Sequence, residues 1–363
     1  MKITAVKSQI ARLPVEEPLA GGSGFHRSHF DFVTLRLETD AGVEGIGVTF
    51  FGGTLTPALK RAVELLGELI IGENPLFVES ALRKLRNAAA SAGPAGISTL
   101  ALSAFDIALW DIKGKTLGQS VASMLGGLRD RVPTYASGAL ARTSPLDEVL
   151  KSARVLVDKG FRQMKTQLAL PGDTTPRKEA ERARLIREVV GPDIDLMCDI
   201  NQRWSVNQAI EIGIRVEEVG FFWLEDVTSP DDYAGLARVA DALVTPLAGG
   251  EYLYGITPFR HMLEARSVDI VMIDLLRVGG IATWMKVAGM AEAFHIPVVS
   301  HLLPEIHVHL VSSAPNGLTV EYMPWMLKLF EETPVVDKGE MVLPDTPGFG
   351  LAFARQSVQR FAA

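Results

Sequence analysis

Two kinds of hydrophobic periodicity divide the chain. Apolar and polar positions alternate with a period of two over residues 33–39 and 43–48, and Asp40-Ala41-Gly42 lies between the two runs. This pattern predicts a β-hairpin. A period near 3.6 residues follows over residues 56–71 and 98–111, and it predicts amphipathic helices. Strands followed by helices indicate a separate α+β unit.

From about residue 132 the pattern changes to short apolar runs that alternate with helical segments. This alternation predicts a parallel sheet with crossover helices. Eight strands are predicted, at residues 132–137, 163–167, 195–199, 221–225, 246–250, 270–274, 298–301 and 318–321. Eight such units close a barrel, in which the C-terminal strand ends form the active site. We therefore predict a capping domain over residues 1–125, a barrel over 126–330, and a C-terminal segment over 331–363 that returns to the cap.

Polar side chains stand at the tips of these apolar strands. Three of them, Asp199, Glu225 and Glu251, are spaced 26 residues apart, which is about one strand, one helix and two loops. Oxygen ligands from three strands suit a hard divalent cation, and Mg²⁺ in particular keeps positions open for water and substrate. A single strand-end acid is more often simply solvated, but the equal spacing favours a metal site. The remaining tips are Ser137, Lys165, Gln167, Asn201, Asp274, His301 and Glu321.

Composition and charge narrow the classes of partner. The 363 residues carry a net charge of −7 with a pI near 5.6, which argues against nucleic acid or an anionic membrane surface. There is no long uninterrupted apolar run and no signal-type N-terminus, so we predict a cytoplasmic protein without a membrane partner. Cys198 is the single cysteine and excludes an intrachain disulfide. Its position in an apolar strand favours packing over a nucleophilic role.

Two glycine-rich segments interrupt the predicted cap, at residues 20–27 and 50–53. Each contains an aromatic residue, and the first also contains His26 and Arg27. Such loops could fold over a site and close it to water, or they could be ordinary surface loops. On the first reading, His26, Arg27 and Phe51 are candidate substrate contacts.

The order of the motifs resembles the enolase superfamily, and within it the mandelate racemase subgroup of the mandelate racemase/muconate lactonizing enzyme family. The resemblance runs along most of the chain and is most specific between Gly160 and Gly350. An aspartate at position 274 favours this subgroup. The muconate-lactonizing and dipeptide-epimerase branch looks different at this strand end, where it has a lysine. The motifs that carry it are Gly160-Phe161-Arg162-Gln163-Met164-Lys165, Asp199-Ile200-Asn201-Gln202, Trp223-Leu224-Glu225-Asp226, Gly250-Glu251, Ile273-Asp274-Leu275-Leu276-Arg277-Val278-Gly279-Gly280, Ser300-His301 and Val320-Glu321.

This resemblance implies a fold and a set of site residues. The fold would be α/β, a modified TIM barrel under an α+β capping domain formed by the N-terminal region and the C-terminal tail. Essential Mg²⁺ would bind the three spaced acids. Asp274 and His301 would form an acid/base dyad, Glu321 would be a protonated hydrogen-bond donor to the substrate carboxylate, and Lys165 would lie beside that carboxylate. The further candidate substrate-binding residues are Gln167, Ser137, His26, Arg27 and Asn201, with Asn201 also supporting the metal ligands.

Two positions depart from the family pattern. The chain reads Lys165-Thr166-Gln167 where Lys-x-Lys is frequent, and glutamine cannot exchange protons at neutral pH. This disfavours two-base racemisation and favours a one-base dehydration through His301. The second departure, Asp226 after Glu225, shortens a side chain next to a predicted metal ligand.

Three functions remain open on these residues. The first is a Mg²⁺-dependent dehydratase that removes a proton α to a carboxylate and converts a hydroxy acid or acid sugar to a 2-keto acid. The second is a racemase or epimerase of an α-substituted carboxylic acid, with Lys165 acting on the opposite face. The third is a catalytically silent scaffold. In the first two the partner is a small-molecule carboxylate, and the resemblance suggests a homo-oligomer.

His307 and His309 are expected to be structural, and Arg277 either orients Asp274 or pairs with a carboxylate.

Overall fold

The structure is a computed structural model that describes residues 1–14, 29–172 and 174–354. His26 and Arg27, with the rest of the predicted loop at 20–27, lie outside the described residues. The described chain begins with a three-stranded antiparallel sheet in the order β1-β2-β3. Its strands are β1 (Ile3–Pro14), β2 (His29–Thr39) and β3 (Glu44–Thr49). The β2–β3 pair is the predicted hairpin, whereas β1 was not predicted.

Helices cover one face of this sheet. The two predicted helices are confirmed as α1 and α3, while α2 and the short α4 were missed. α3 approaches β3 closely through glycine, because a Cβ atom at Gly45 or Gly47 would lie 2.2 or 2.1 Å from a carbonyl oxygen of α3. The four helices are α1 (Thr56–Ile70), α2 (Val78–Ala88), α3 (Ile97–Leu117) and α4 (Val121–Met124).

Eight parallel strands follow and form the barrel, which confirms the predicted fold class of a modified TIM barrel with an α+β cap. Seven of them are hydrogen-bonded in chain order from β4 to β10, and β11 pairs with β4. Leu318 N–H donates to the Val298 carbonyl over 2.9 Å and brings the β11 side next to β10. The strands are β4 (Arg131–Leu140), β5 (Gln163–Gln167), β6 (Asp195–Asp199), β7 (Leu224–Glu225), β8 (Leu247–Gly249), β9 (Ile270–Asp274), β10 (Val298–His301) and β11 (Val320–Tyr322).

Helices connect successive strands from β4 to β11 and cover the outside of the barrel. Their apolar faces pack on the outward-facing strand residues. The helices are α5 (Leu146–Asp158), α6 (Pro176–Val190), α7 (Val206–Val216), α8 (Tyr233–Ala242), α9 (Thr257–Glu264), α10 (Leu275–Val278), α11 (Ile281–Ala293) and α12 (Pro304–Val311).

The barrel interior is filled below its C-terminal mouth. Tyr135 and Trp223 meet edge to face with ring centroids 5.5 Å apart, and Met197, Met272 and Val299 belong to the same buried cluster. These side chains form a floor beneath the polar strand ends. The polar strand-end side chains therefore lie on a packed core, not over an open channel.

The C-terminal segment contacts both parts of the molecule. The hairpin β12 (Val336–Asp337) and β13 (Glu340–Val342) pairs with the start of β4. The chain then reaches the cap, where Val121 N–H donates to the Gly348 carbonyl over 2.8 Å. The domain boundaries at residues 125 and 330 stay predictions. Among the described residues, no helix is long and apolar enough to cross a membrane.

Candidate active site

The three spaced carboxylates meet at the mouth of the barrel. Asp199 and Glu225 are register partners on β6 and β7, and Glu251 follows β8 after Gly250. That glycine has φ 124°, and a Cβ atom there would lie 2.7 Å from the Met272 carbonyl oxygen. Asp199, Glu225 and Glu251 are only 4, 0 and 4% exposed. The strands thus bring three buried acids to one edge, as their spacing predicted.

Each of these carboxylates already has hydrogen-bond or ion-pair partners. Asn201 donates to both oxygens of Asp199, each over 2.7 Å. Glu225 accepts from Lys165 Nζ over 2.6 Å and from Trp223 Nε1 over 3.0 Å, while Glu251 Oε2 lies 3.2 Å from His301 Nε2. In this arrangement no three acidic, histidine or cysteine side chains of the described residues surround a common point where an ion could bind.

The donor set nevertheless fits a hard divalent cation. Burial raises the pKa of Glu225 and of Glu251, and the negative charge of the neighbouring acids raises both further. Asp226 behaves in the same way, and its Oδ2 is buried with no hydrogen-bond partner among the described residues. Buried, mutually repelling carboxylates need a compensating cation. Asp199, Glu225 and Glu251 could supply it with oxygen ligands once Glu225 and Glu251 turn from their present partners.

A histidine–aspartate pair lies beside these acids. His301 Nδ1 is 2.7 Å from Asp274 Oδ2, and the two residues are register partners on β10 and β9. Asp274 Oδ1 accepts from the backbone N–H of Leu276 and Arg277 at the start of α10. The aspartate is therefore held by the helix it caps, and it fixes one ring nitrogen of His301.

The electrostatics of this pair follow from its contacts. Burial would raise the pKa of Asp274, but the hydrogen bond and charge of His301 outweigh it and lower that pKa. Burial would lower the pKa of His301, but the charge of Glu251 and the hydrogen bond that His301 donates to Asp274 outweigh it and raise that pKa. The pair is thus arranged to stabilise a protonated imidazole next to an ionised aspartate.

Glu321 lies between a buried lysine and a backbone N–H at the barrel mouth. Glu321 Oε1 lies 2.9 Å from Lys165 Nζ, and Oε2 accepts from the Leu302 N–H over 2.7 Å. Burial raises the pKa of Glu321, but Lys165 and His301 outweigh it and lower the pKa to about 2. These neighbours favour the ionised form of Glu321, and its expected role as a protonated donor to the substrate carboxylate stays a prediction. Lys165, which is expected to lie beside the substrate carboxylate, contacts both Glu225 and Glu321.

The candidate substrate contacts are distributed differently from the prediction. Ser137 lies inside β4, because that strand continues to Leu140 and does not end at 137. Its hydroxyl is buried with no hydrogen-bond partner among the described residues. Gln167 Nε2 donates to Asn201 Oδ1 over 3.2 Å. Gln167 also lines a cavity between the cap and the barrel mouth.

Sequence reasoning missed Arg142 and a stack of side chains over the histidine. The sequence pattern predicts that β4 ends at residue 137, but the strand continues to Leu140. Arg142 therefore does not stand out in the sequence as a cation just beyond a barrel strand. The Arg277 guanidinium lies 3.9 Å from the Phe51 ring and 4.6 Å from the Tyr252 ring. Phe51 in turn lies parallel to the His301 ring, at 9° and 6.2 Å between centroids.

A cavity of about 630 Å³ opens between the cap and the barrel mouth. Five aromatic residues form much of its wall, and polar side chains from both parts of the molecule complete it. The cavity is large enough for a small organic acid. The aromatic wall consists of Phe30, Phe32, Phe50, Phe51 and Trp325, and the polar residues include Asp31, Thr54, Thr143 and Gln167.

Comparison with known proteins identifies the family. Residues 6–126 match "Mandelate racemase / muconate lactonizing enzyme, N-terminal domain" and residues 148–357 match "Enolase C-terminal domain-like". The chain belongs to the mandelate racemase/muconate lactonizing enzyme family. This membership confirms the resemblance found in the sequence motifs.

Members of this family with named activities align along nearly the whole chain. L-talarate/galactarate dehydratase of Salmonella typhimurium is 30% identical over 362 residues, which cover 98% of this chain and 90% of the relative. 3,6-Anhydro-alpha-L-galactonate cycloisomerase of Streptomyces coelicolor is 29% identical, with 99% of each chain covered. L-Talarate dehydratase of a Polaromonas species, solved with Mg and L-glucarate, superposes with a TM-score of 0.90 at 30% identity, covering 100% of this chain and 97% of that one.

Proposed function

We propose that this protein is a Mg²⁺-dependent dehydratase that converts an acid sugar or related hydroxy acid to a 2-keto acid. The observation that carries the proposal is the buried His301–Asp274 pair, 2.7 Å apart, beside three buried strand-end carboxylates. The dehydratases among its relatives support the same reaction type. The proposed substrate is a small-molecule carboxylate that enters the cavity between the cap and the barrel.

Asp199, Glu225 and Glu251 would hold the metal. Mg²⁺ supplies positive charge that stabilises the negative charge developing on the substrate carboxylate when the neighbouring proton leaves. The chain adds its own cation there, because the Lys165 ammonium is buried among the same side chains. Burial strengthens these electrostatic effects, since water is largely excluded.

His301 would carry the proton. Its Nδ1 is held by Asp274, so Nε2 is the nitrogen that can accept the proton from the carbon next to the carboxylate. The electrons of that C–H bond first pass into the carboxylate group. In the next step they form the carbon–carbon double bond and expel the β-hydroxyl group. His301 returns the proton to this leaving group, which departs as water, and the resulting enol becomes the 2-keto acid.

Gln167 favours this one-base route. Its amide cannot exchange protons at neutral pH, and it is hydrogen-bonded to Asn201. Racemisation requires proton delivery on the face opposite His301, and Lys165 is held by two carboxylates in this structure. A racemase, epimerase or cycloisomerase reaction is the second candidate, and the similarity to a cycloisomerase supports it.

The test is a screen of purified protein with Mg²⁺ against aldonates, aldarates and smaller hydroxy acids, with parallel samples in D₂O. Formation of 2-keto acid that EDTA abolishes is the expected result. Deuterium at the α-carbon without keto acid would favour the racemase or epimerase. Neither signal across the library would contradict both enzymatic functions and favour the scaffold.

Two further predictions concern the state of the protein. We infer a homo-oligomer, and exposed apolar side chains around the end of α1 support it, namely Leu65, Leu69, Ile71 and Phe77. Light scattering that gives the mass of one chain would contradict this inference. The cytoplasmic location inferred from the sequence is a separate prediction that cell fractionation can test.

A further inference from the structure

A buried arginine at the barrel mouth contacts the strand end that carries Asp199. Arg142 follows β4, is 5% exposed, and lies two strands away from β6. Its guanidinium donates to the Asp199 carbonyl over 2.9 Å, to the Ile200 carbonyl over 3.0 Å and to Asn201 Oδ1 over 2.6 Å. A planar guanidinium with several donors can hold three oxygens in one fixed arrangement. All three belong to residues 199–201.

Asn201 transmits this contact to the Asp199 carboxylate. Its Oδ1 accepts from Arg142 and from Gln167, so its amide nitrogen faces Asp199 Oδ2 and its backbone N–H faces Oδ1. Asn201 also has φ 49°, a left-handed conformation that needs support from its surroundings. The orientation of the Asp199 carboxylate therefore depends on the Asn201 amide. Arg142 and Gln167 fix that amide by donating to its oxygen.

We propose that Arg142 is a positioning residue of the metal site, which acts through Asn201 to orient Asp199. Gln167 donates the second hydrogen bond to Asn201 Oδ1. The backbone N–H of Arg142 in turn donates to Gln167 Oε1 over 3.3 Å. The inference rests on the proposed function, because it takes Asp199 as a Mg²⁺ ligand. It assigns Gln167 a part in ligand orientation where the family pattern has a lysine.

Arg187 provides a matched control at the other end of the barrel. It donates to four backbone carbonyls at distances of 2.6–2.9 Å, those of Val219, Gly191, Ile194 and Gly220. These carbonyls lie before β6 and β7, away from the mouth. Replacing Arg187 removes a comparable carbonyl-binding guanidinium without touching the candidate ligands. A purely structural role for Arg142 predicts that both replacements have the same kind of effect.

The experiment measures Mg²⁺ affinity by calorimetry without substrate, and thermal unfolding without Mg²⁺, for wild type, Arg142→Met, Arg142→Lys and Arg187→Met. We expect Arg142→Met to weaken Mg²⁺ binding about 10- to 100-fold, as removal of groups that orient metal ligands does. Arg142→Lys should recover only part of the loss, because an ammonium cannot span three oxygens. Arg187→Met should lower the unfolding temperature and leave the Kd for Mg²⁺ unchanged.

A second variant tests the path through Asn201. Asn201→Gly removes the amide and keeps the left-handed backbone accessible, so it should weaken Mg²⁺ binding as Arg142→Met does. The double variant should be no weaker than the poorer single variant, because both changes break one path. If Arg142→Met does not fold, Arg142→Lys and Asn201→Gly carry the same comparison.

The outcomes separate this inference from the proposed function. Wild-type affinity in Arg142→Met, or additive losses in the double variant, would overturn the positioning role while leaving the metal site intact. A wild-type protein that binds no Mg²⁺ would overturn the metal site and this inference with it. Weaker binding in Arg187→Met, equal to that in Arg142→Met, would show a general loss of structure and also overturn it.

Discussion

The smallest unit with a testable role is the His301 side chain. If it removes the α-proton, His301→Asn should lower kcat by about 10²–10⁴-fold, the usual contribution of a positioned general base. Asparagine keeps a polar group beside Asp274 and leaves the three candidate metal-binding carboxylates in place. Mg²⁺ affinity, measured by calorimetry, should therefore stay near that of the wild type. Comparable turnover in this variant would remove His301 as the base.

The pH dependence of the reaction depends on Asp274. As a base, His301 must be unprotonated, so kcat/KM should fall as the pH drops through its pKa. The Asp274 hydrogen bond and charge raise that pKa, together with Glu251. Asp274→Asn removes both contributions, so the acidic limb of the profile should shift to lower pH while the rate itself falls about 10²-fold or more.

Asp269→Asn is the matched control for that profile, because Asp269 precedes the same strand at its opposite end and accepts from the Leu247 N–H. An acidic limb that does not move in Asp274→Asn would mean that another group sets it. A limb that moves equally in both variants would point to a general loss of structure.

At the scale of residues, the sequence predicted which side chains meet at the barrel mouth. It did not predict the hydrogen bonds and ion pairs that each of them makes. The spacing of Asp199, Glu225 and Glu251 and the order of Asp274 and His301 place them correctly, because parallel strands align their C-terminal ends. The contact between Glu321 and the Lys165 side chain 2.9 Å away could not be predicted from the strand pattern. Such contacts are set by rotamers, on which strand periodicity carries no information.

Among the elements, the loop that carries Phe51 brings the cap to the candidate catalytic residues. Phe51 has φ 72°, an unusual conformation for a bulky residue. Its ring contacts the Arg277 guanidinium and lies parallel to the His301 imidazole. This placement agrees with the expectation that residues 50–53 fold over the site. The loop would then limit the access of water to His301.

Phe51→Ala should open this side of the site. We expect kcat/KM to fall by up to about fivefold, matching the loss of a cation–π contact worth about 1 kcal/mol. In D₂O, recovered substrate should carry more α-deuterium, because water reaches the protonated imidazole before the hydroxyl leaves. Leu55→Ala, at an exposed position after the same loop, is the control. Unchanged deuterium incorporation in Phe51→Ala would exclude a shielding role.

Element boundaries were predicted well where apolar runs are short and compact. The ranges of β5, β6, β9 and β10 match the structure residue for residue. β7 is reduced to Leu224–Glu225, and β1 and α2 were missed. The burial pattern of β1 does not follow a period of two. Local pattern could not reveal that strand.

Across the whole molecule, polar contacts join segments that are distant in sequence. Asp106 of α3 accepts from the Ile281 N–H at the start of α11, 175 residues away, and Asp111 accepts from the Phe349 N–H, 238 residues away. One cap helix thereby holds a barrel helix and the C-terminal segment. In the sequence, these two acids are only polar positions within a helical pattern. Their backbone partners could not be predicted, because the two ends of each contact are far apart along the chain.

His309 makes a similar junction, and its environment predicts a pH-dependent stability. Its Nδ1 accepts from the Ala122 N–H of α4 and its Nε2 faces the Phe349 carbonyl, so the ring is neutral when both bonds form. Burial lowers its pKa from 6.5 to about 4. Between these values the unfolded chain binds a proton that the folded chain does not, so this histidine should lower the free energy of unfolding as the pH falls.

His309→Gln removes this titration and should also destabilise the protein at neutral pH, because two buried hydrogen bonds are disturbed. The difference in unfolding free energy between wild type and variant should then narrow by up to about 2 kcal/mol as the pH falls from 7.5 to 5. Denaturant titrations at each pH measure it, with His261→Gln on the exposed face of α9 as the control for losing one histidine. A difference that stays constant with pH would mean that His309 does not remain neutral in the folded protein, and that the junction of cap, barrel helix and C-terminal segment tolerates a buried charge.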